Sequence, residues 1–499
     1  MSKCLCLALS LWLANAALAA GKPFEILVLD DETNRGVPLV ELKTTSEARY
    51  ITDSAGRIAF DEPDLFGQEV YFHIQSHGYE AAPDGFGFRG MRFTPRPGER
   101  AEVKITRKNI AERLCRLTGQ GIYRDSALLG YKVPQRTAAG TVTGQDSVQA
   151  IPYDGRLFWF WGDTNHARYP LGLFRTAGAT SPLFDKPFDP ANNIDLAYFT
   201  DQEGRARAMI PLANEPDAKE GVVWIDGLAA MKDDDGRERL VCHFMRLKAL
   251  DKPIEQGLAV WNDKQQIFER AATLPLDDQR HLSGHPLAHR EGGTDYLYCG
   301  VMYPTLRVPA TLSAVLDPGS YEAWSCLSPR GEVLRDEAGR LDFAWRKTAD
   351  AWTPSLEQKL RRAGHLKADE CVHHPRDSAG KPIHLAGGSV RYNAYRQKFI
   401  AIGVEQGGTS FLGEIWYSEA PAPQGPWKKA VKIVTHDKYS FYNPVQHAFL
   451  DADGGRTIYF EGTYTHTFSG NNVPTPRYDY NQVLYRLNLD DPRLKEARE

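Results

Sequence analysis

Between Pro23 and about Lys108 the chain runs as short β-rich segments, FEILVLD, VPLVELKT, RYITD, RIAF, EVYFHIQS and AEVKITR, separated by turn residues. The tetrapeptide DSAG at Asp53 to Gly56 is a tight turn between two of them. Such spacing predicts a small β-sandwich of roughly ninety residues. The next stretch, Lys108 to Pro134, changes period: Ile110, Leu114 and Leu117 recur at helical spacing before Gly119 and Gly121 end the run. It reads as a connector over 109–140 with a short helical start.

Beyond Gly140 the pattern is almost entirely β, and one unit recurs. A strand rich in aromatic and β-branched residues is followed by a second strand: LFWFWGDT with LGLFRTAG, RLVCHFMR with GLAVWND, DYLYCGV with YEAWSCLS, KFIAIGV with GEIWYSEAP, and TIYFEGTY with QVLYRLNL. Five irregularly spaced copies, each preceded by a polar residue (Asp146, Asp226, His285, Arg391, His447), are how a propeller looks in sequence. Long insertions, Ala177 to Pro216 and Pro329 to Leu366, separate the strands; SLEQKLRRAGH at Ser355 to His365 within the second reads as helical. Neither W-D repeats nor the S-x-D-x-G-x-T-W box is present. The expected fold class is therefore all-β: a small N-terminal β-sandwich over 20–108, then a five-bladed β-propeller over 141–489, with a tail over 490–499.

The segment GQDSVQAIPYDGRLFWFWGDTN, Gly144 to Asn165, holds the candidate chemistry. Asp154-Gly155 between two β-rich runs is a hairpin signal, pairing Ser147 to Pro152 with Arg156 to Trp161. Strand one begins just after Asp146 and strand two ends just before Asp163, so the hairpin brings the acids to one end. Aspartates at strand ends commonly serve as turn formers. Two of them across one hairpin, beside Trp161 and Asn165, can instead divide general acid and general base work.

Composition narrows the setting. With 42% hydrophobic and 25% charged residues over 499 positions, the chain is ordinary globular material of two or three domains. A net charge of -4 and no basic stripe argue against a nucleic-acid partner. Residues 1–19 have the layout of a secretory signal peptide: Lys3, an apolar run from Cys4 to Leu13, and Ala17-Leu18-Ala19 before Ala20. No later stretch approaches a membrane-spanning length, so a soluble periplasmic or extracellular product is expected. Past the signal, Cys115, Cys242, Cys299, Cys326 and Cys371 are odd in number and match no zinc spacing; buried free thiols are expected. His373-His374 beside Cys371 invites a metal reading, set aside because CVHHP lacks further ligands at suitable spacing.

A propeller site forms where the inner strands converge. The residues expected there are Asp146, Asp226 in WIDGL, His285 in SGHPL, Arg391 in GGSVRYN, and Asn443 and His447 in YNPVQH, with Asp163, Glu405 and Glu461 at the ends of second strands. Arg391 suits a bidentate carboxylate contact and the histidines suit sugar hydroxyls or proton transfer, although arginines and lone histidines often serve structure. Aromatic residues in loop-like positions, Trp161, Tyr303, Trp352, Tyr439, Phe441, Tyr442 and Tyr464, supply faces for sugar rings or else fill the space between blades.

Two resemblances follow from these segments. The first domain is similar to the transthyretin-like, carboxypeptidase-regulatory-like sandwich. GQDSVQAIPYDGRLFWFWGDTN resembles the first blade of secreted five-bladed propeller glycosidases that include the endo-D-arabinanases, and GEIWYSEAPAPQGPW is similar to blades of the wider arabinanase, invertase and levansucrase group. The likeness spans about Thr141 to Leu489 in architecture. It implies a secreted glycoside hydrolase acting on a polysaccharide, with Asp146 and Asp163 as the catalytic pair and Trp161, Asn165, Asp226, His285, Arg391, Glu405, Tyr442, Asn443 and His447 around the sugar. The sequence departs from that group in SVQ after the first acid and in its histidine-rich later blades. No cofactor is required by such chemistry, and a structural cation in the channel is compatible with it. A non-catalytic glycan-binding propeller, and a polysaccharide lyase using His285, His447 and Arg391 on a uronate, stay open as alternatives.

Overall fold

The computed structural model describes residues 22–134, 141–167, 169–173, 175–184, 187–211 and 221–498. The signal-peptide expectation concerns residues outside this set. Among the described residues, no helix is long and apolar enough to cross a membrane.

The chain divides into two compact units, one holding residues up to Lys108 together with Gly121–Val133, the other Asn109–Gln120 with Pro134–Glu499. The first unit contains two four-stranded sheets. One orders its strands Arg57–Phe60, Phe24–Asp30, Arg100–Arg107 and Tyr79–Glu80; the other Arg49–Ile51, Glu41–Thr44, Val70–Gln75 and Gly90–Phe93. Phe24, Ile26, Val28, Leu42, Phe60, Phe72, Val103 and Ile105 share its core. The returning segment ties onto this unit through Asp53, which accepts the Ser126 amide at 2.7 Å, and Asp125, which accepts the Ala59 amide at 3.1 Å.

The second unit is a five-bladed propeller. The strands of blade one are Gln149–Tyr153, Arg156–Trp161, Ala177–Pro182 and Ala197–Tyr198; of blade two Val222–Lys232, Glu238–Ala249, Lys252–Asn262 and Ile267–Leu274. Blade three has five: Leu287–Glu291, Thr294–Cys299, Leu306–Pro309, Glu322–Ser325 and Ala344–Arg346. Blade four has Leu385–Asn393, Lys398–Glu405, Glu414–Ala420 and Val431–Thr435. Blade five combines Ser440–Gln446, Thr457–Thr465 and Asn481–Asn488 with Glu112–Arg116 as its outermost strand.

That last strand corrects the expected helical start at Ile110, Leu114 and Leu117. Pairing of Val483 with Arg116 and Leu484 with Cys115 recruits the segment to the sheet, and all five residues from Glu112 to Arg116 are buried. A run too short to nucleate a helix gains more from an unpaired sheet edge than from its own spacing. Two strand assignments also shift. The partner of Arg156–Trp161 is Ala177–Pro182, while Tyr169–Leu173 joins a separate small sheet; and Glu322–Ser325, in YEAWSCLS, is the fourth strand of its blade.

The inner strands close a ring. Gln149 on blade one reaches Asp226 on blade two (3.4 Å) and the carbonyl of Gly284 ahead of blade three (3.3 Å). Arg391 on blade four donates to the carbonyl of His285 (2.8 Å), the Gln446 amide on blade five donates to Ser389 (2.8 Å), and Asn443 returns to Ser147 (2.5 Å). Asp226 and Arg391 lie within inner strands and His447 just past one, each ahead of the strand pair that repeats in its blade.

Packing between blades explains the aromatic runs. In the strand Arg156–Trp161, Leu157, Trp159 and Trp161 enter one core with Leu484 and Tyr459 of blade five, while Phe158 and Phe160 enter another with Phe244 and Trp261 of blade two. Side chains alternate faces along a strand, so a strand packed between two neighbouring blades is apolar on both faces, here from Leu157 to Trp161.

Candidate active site

A small sheet of Val142–Gln145, Thr164–His166 and Tyr169–Leu173 abuts blade one, and the first hairpin runs from one sheet into the other. Asp146 falls between Val142–Gln145 and Gln149–Tyr153; Asp163 falls between Arg156–Trp161 and Thr164–His166. Both acids therefore occupy the bend where the two sheets part. The ladder persists through it: the Asp146 amide donates to the Asp163 carbonyl (3.1 Å) and the Gly162 amide to the Asp146 carbonyl (2.8 Å). Ser147, at φ 57, turns the backbone out of the sheet. Gly162 leaves room for the first acid, since a Cβ there would stand 2.5 Å from Asp146 Oδ1.

Each carboxylate is held by side chains from other blades. Asp146 Oδ1 accepts the Asp163 amide at 2.7 Å and its Oδ2 accepts the Tyr442 hydroxyl at 2.8 Å. Asp163 Oδ1 accepts the Trp224 indole N–H at 3.0 Å. Burial, reinforced by the negative charge of Asp163, pushes Asp146 up to about 7 against the hydrogen bonds from Tyr442 and Asp163. Burial also pushes Asp163 up to about 6, opposed by Trp224. Two neighbouring carboxyls raised into this range keep a proton available near neutrality, as acid–base chemistry requires.

Around this pair the structure collects Tyr442, Asn443, Trp224 and Tyr480. Asn443, at φ 47, bonds Ser147 next to the first acid. Tyr480 is half-buried, and burial first, then the charges of both aspartates, raise its hydroxyl pKa. Phe468, more than half exposed, stands edge-on to Tyr442 at 6.0 Å. Asn165 is half-buried on the small sheet, paired with Gly144 two residues beyond Asp163.

Asp226 lies two residues beyond Trp224 on the strand Val222–Lys232. Its Oδ2 accepts the Gly284 amide at 2.9 Å and its Oδ1 faces Gln149; burial raises it to about 6 despite amides from Gly284 and Gly227. A third cluster joins His285, Arg391 and His447. Burial first, then the charges of Arg391 and His447, press His285 down to about 3. Nη1 of Arg391 donates to the carbonyls of His285, Pro286 (3.3 Å) and Val390 (3.0 Å). His447 Nε2 lies 3.3 Å from Glu461 Oε2, both side chains being 1% exposed, with the Trp159 ring 5.2 Å away. Arg391 thus ties blade four to the segment ahead of blade three while it and His285 stay part-exposed, whereas His447 is buried against Trp159.

Two further expected contacts are corrected by burial. Trp161 is 1% exposed and stacks on Trp159 at 6.4 Å, so its faces are covered by protein. Glu405 is buried and accepts the Trp416 indole at 2.8 Å, with Lys381 at 3.4 Å. Tyr303, Trp352 and Phe441, grouped as loop aromatics, are likewise core residues.

Trp224 and Tyr480 were missed. For Trp224 a signal existed: in VWIDGL it stands two residues before Asp226, so strand alternation puts both on one side of an inner strand. Tyr480 follows the irregular stretch 466–479, whose pattern carries no period.

No protein-family profile and no curated protein matches the chain. Among solved structures it is similar to an exo-β-1,3-galactanase from Phanerochaete chrysosporium with bound β-1,3-galactotriose (9% identity, 71% of this chain and 62% of that one, TM-score 0.36). It is also similar to a GH43 β-xylosidase/α-arabinofuranosidase from a compost metagenome with xylotriose (12%, 70% and 94%, TM-score 0.33) and to a GH43_1 enzyme from Xanthomonas citri with xylose (12%, 69% and 86%, TM-score 0.33). The chain thus spans less than two thirds of the galactanase's length, and likenesses this distant bear on neither substrate nor mechanism.

Proposed function

We propose that this chain is a glycoside hydrolase that cleaves a polysaccharide with Asp146 and Asp163, exported by its N-terminal segment to act outside the cytoplasm. The observation that carries the reading is the bend in the first hairpin. It holds two part-buried carboxyls side by side, one raised to about 7 and the other to about 6, each fixed by a donor from another blade. A carboxyl retaining its proton near neutrality can protonate a leaving oxygen while its neighbour, ionised, activates water or attacks the sugar. The two titrate as a coupled pair, so the proton belongs to the pair between the two transitions.

The lyase alternative needs a base and a free cation for a uronate. His285, lowered to about 3, is a weak base, and Arg391 is engaged by main-chain carbonyls, which favours hydrolysis. A screen of the purified mature protein against a polysaccharide panel, reading reducing ends and ultraviolet absorbance together, tests the proposal. Reducing ends without unsaturation support hydrolysis, unsaturated ends would establish the lyase, and glycan binding without any product would establish a binding propeller. Mass analysis of the exported protein's N-terminus checks cleavage near Ala20.

A further inference from the structure

The segment between blades three and four carries a short helix, Pro354–Arg362, whose first turn is capped by Thr353 accepting the Leu356 amide at 3.2 Å. Leu356 and Leu360 pack against a local core of Cys326, Leu327, Trp352 and Leu366. Glu357, on the same helix, is fully buried. Its carboxylate accepts the main-chain amides of Val372 and His373 (3.1 Å to the latter), which brings it onto the CVHHP segment. The ligand missing from that sequence is thus supplied from fourteen positions upstream of Cys371, through the fold.

Cys371 Sγ, a ring nitrogen of His374 and a carboxylate oxygen of Glu357 all lie within 4.8 Å of one another. His374 Nδ1 stands 3.4 Å from Glu357 Oε2 and makes no hydrogen bond of good geometry. A direct imidazolium–carboxylate bond closes to about 2.7–2.9 Å. Two ligands on one zinc ion, each about 2.0–2.1 Å from it at a tetrahedral angle, stand roughly 3.3–3.4 Å apart. The observed His374–Glu357 spacing, also within ion-pair reach, accommodates two ligands on one ion, and Cys371 Sγ, 3.7 Å from the Lys367 carbonyl, stands close enough to join them. The amides on Glu357 orient its carboxylate as outer-shell partners do in metal sites. His373 is committed elsewhere, with Nε2 on the Gln424 carbonyl (3.0 Å) and its ring stacked on Tyr303 (4.4 Å).

We propose that Glu357, Cys371 and His374 form a zinc-binding site, with three protein ligands and a water in the fourth position, which clamps the inserted helix to the segment leading into blade four. Sulfur and imidazole donors favour zinc over magnesium or calcium, which take oxygen ligands. Cys371 and His374 are part exposed, so solvent reaches the ion. The clamp acts on structure already in place, since Trp427 donates its amide to the Val372 carbonyl at 2.9 Å. It does not depend on the proposed glycosidase activity.

The test uses the mature protein, stripped with a chelator under reducing conditions and titrated with Zn2+ alone against a chromogenic competitor, with Co2+ as a spectroscopic probe. One zinc per chain is expected, together with a thiolate-to-cobalt charge-transfer band and a higher melting temperature on zinc addition. Cys371→Ser and His374→Gln, at the part-exposed side of the site, should each weaken zinc at least about tenfold, and Cys371→Ser should abolish the cobalt band. Glu357→Gln is the less informative variant, because the buried carboxylate also caps two amides. Absence of stoichiometric zinc in the wild type, or zinc binding unchanged in both rim variants, would overturn the proposal.

Discussion

If Asp146 is held above its ordinary range by burial and by its neighbour's charge, replacing it with the uncharged isostere should stabilise the propeller in a pH-dependent way. In the fold the carboxyl titrates at about 7; in the unfolded chain an aspartate titrates near about 3.9. A group whose folded pKa is raised contributes stability while protonated, present below the unfolded value and lost as pH rises through the folded one. The gap of about three units, at about 1.4 kcal/mol each, sets an upper bound of roughly 4 kcal/mol. Partial exposure of the carboxyl and its coupling to Asp163 reduce the expected effect to about 2 kcal/mol. Asp146→Asn should therefore match the wild type near about pH 4 and exceed it by about this amount near about pH 8.

The assay is urea unfolding followed by tryptophan fluorescence at several pH values. Every tryptophan from residue 22 onward belongs to the propeller unit, so the signal isolates it from the sandwich. A stability difference independent of pH, or a wild type that gains on the variant as pH rises, would refute the reasoning about the site's electrostatics.

Three other expectations follow from the same geometry. Tyr442→Phe removes a hydrogen bond that favours the charged form of Asp146, so the alkaline limb of the activity profile should move up by up to about one unit; an unshifted limb would separate the hydroxyl from the acid. Gly162→Ala drives a methyl against Asp146 Oδ1, and activity should fall while circular dichroism and melting stay near wild type; full activity would show that the acid's position is not critical. Trp161→Ala should cost about 3–5 kcal/mol in unfolding experiments, as truncation of a buried aromatic does; a loss of glycan affinity at unchanged stability would return Trp161 to the cleft.

The fold was legible where β-branched and aromatic residues run together. Continuous apolar runs such as LFWFW and KFIAIGV read as strands buried on both faces, and Asp154-Gly155 marks the hairpin that joins the acids. The ring-closing strand Glu112–Arg116 was not legible, because its partner Asn481–Asn488 lies more than 360 residues away and the local spacing of Ile110, Leu114 and Leu117 suggests another period. At the site, the conjunction of Asp146 and Asp163 could be read from one hairpin, whereas Tyr442 and Trp224 reach them from other blades. Residues such as Glu405 and His447 have the chemistry of a site and the surroundings of a core. Sequence pattern records the first and burial decides the second.

The central claim is that Asp146 and Asp163 carry the reaction rather than hold the hairpin together. The most direct test compares Asp146→Asn and Asp163→Asn with the wild type on a polysaccharide that the protein cleaves, measuring turnover at saturating substrate and glycan affinity in parallel. Turnover lower by about 10²–10⁴-fold in each variant, with affinity and fold retained, is the predicted result. Turnover near the wild-type level in either variant, with the fold intact, would contradict the account.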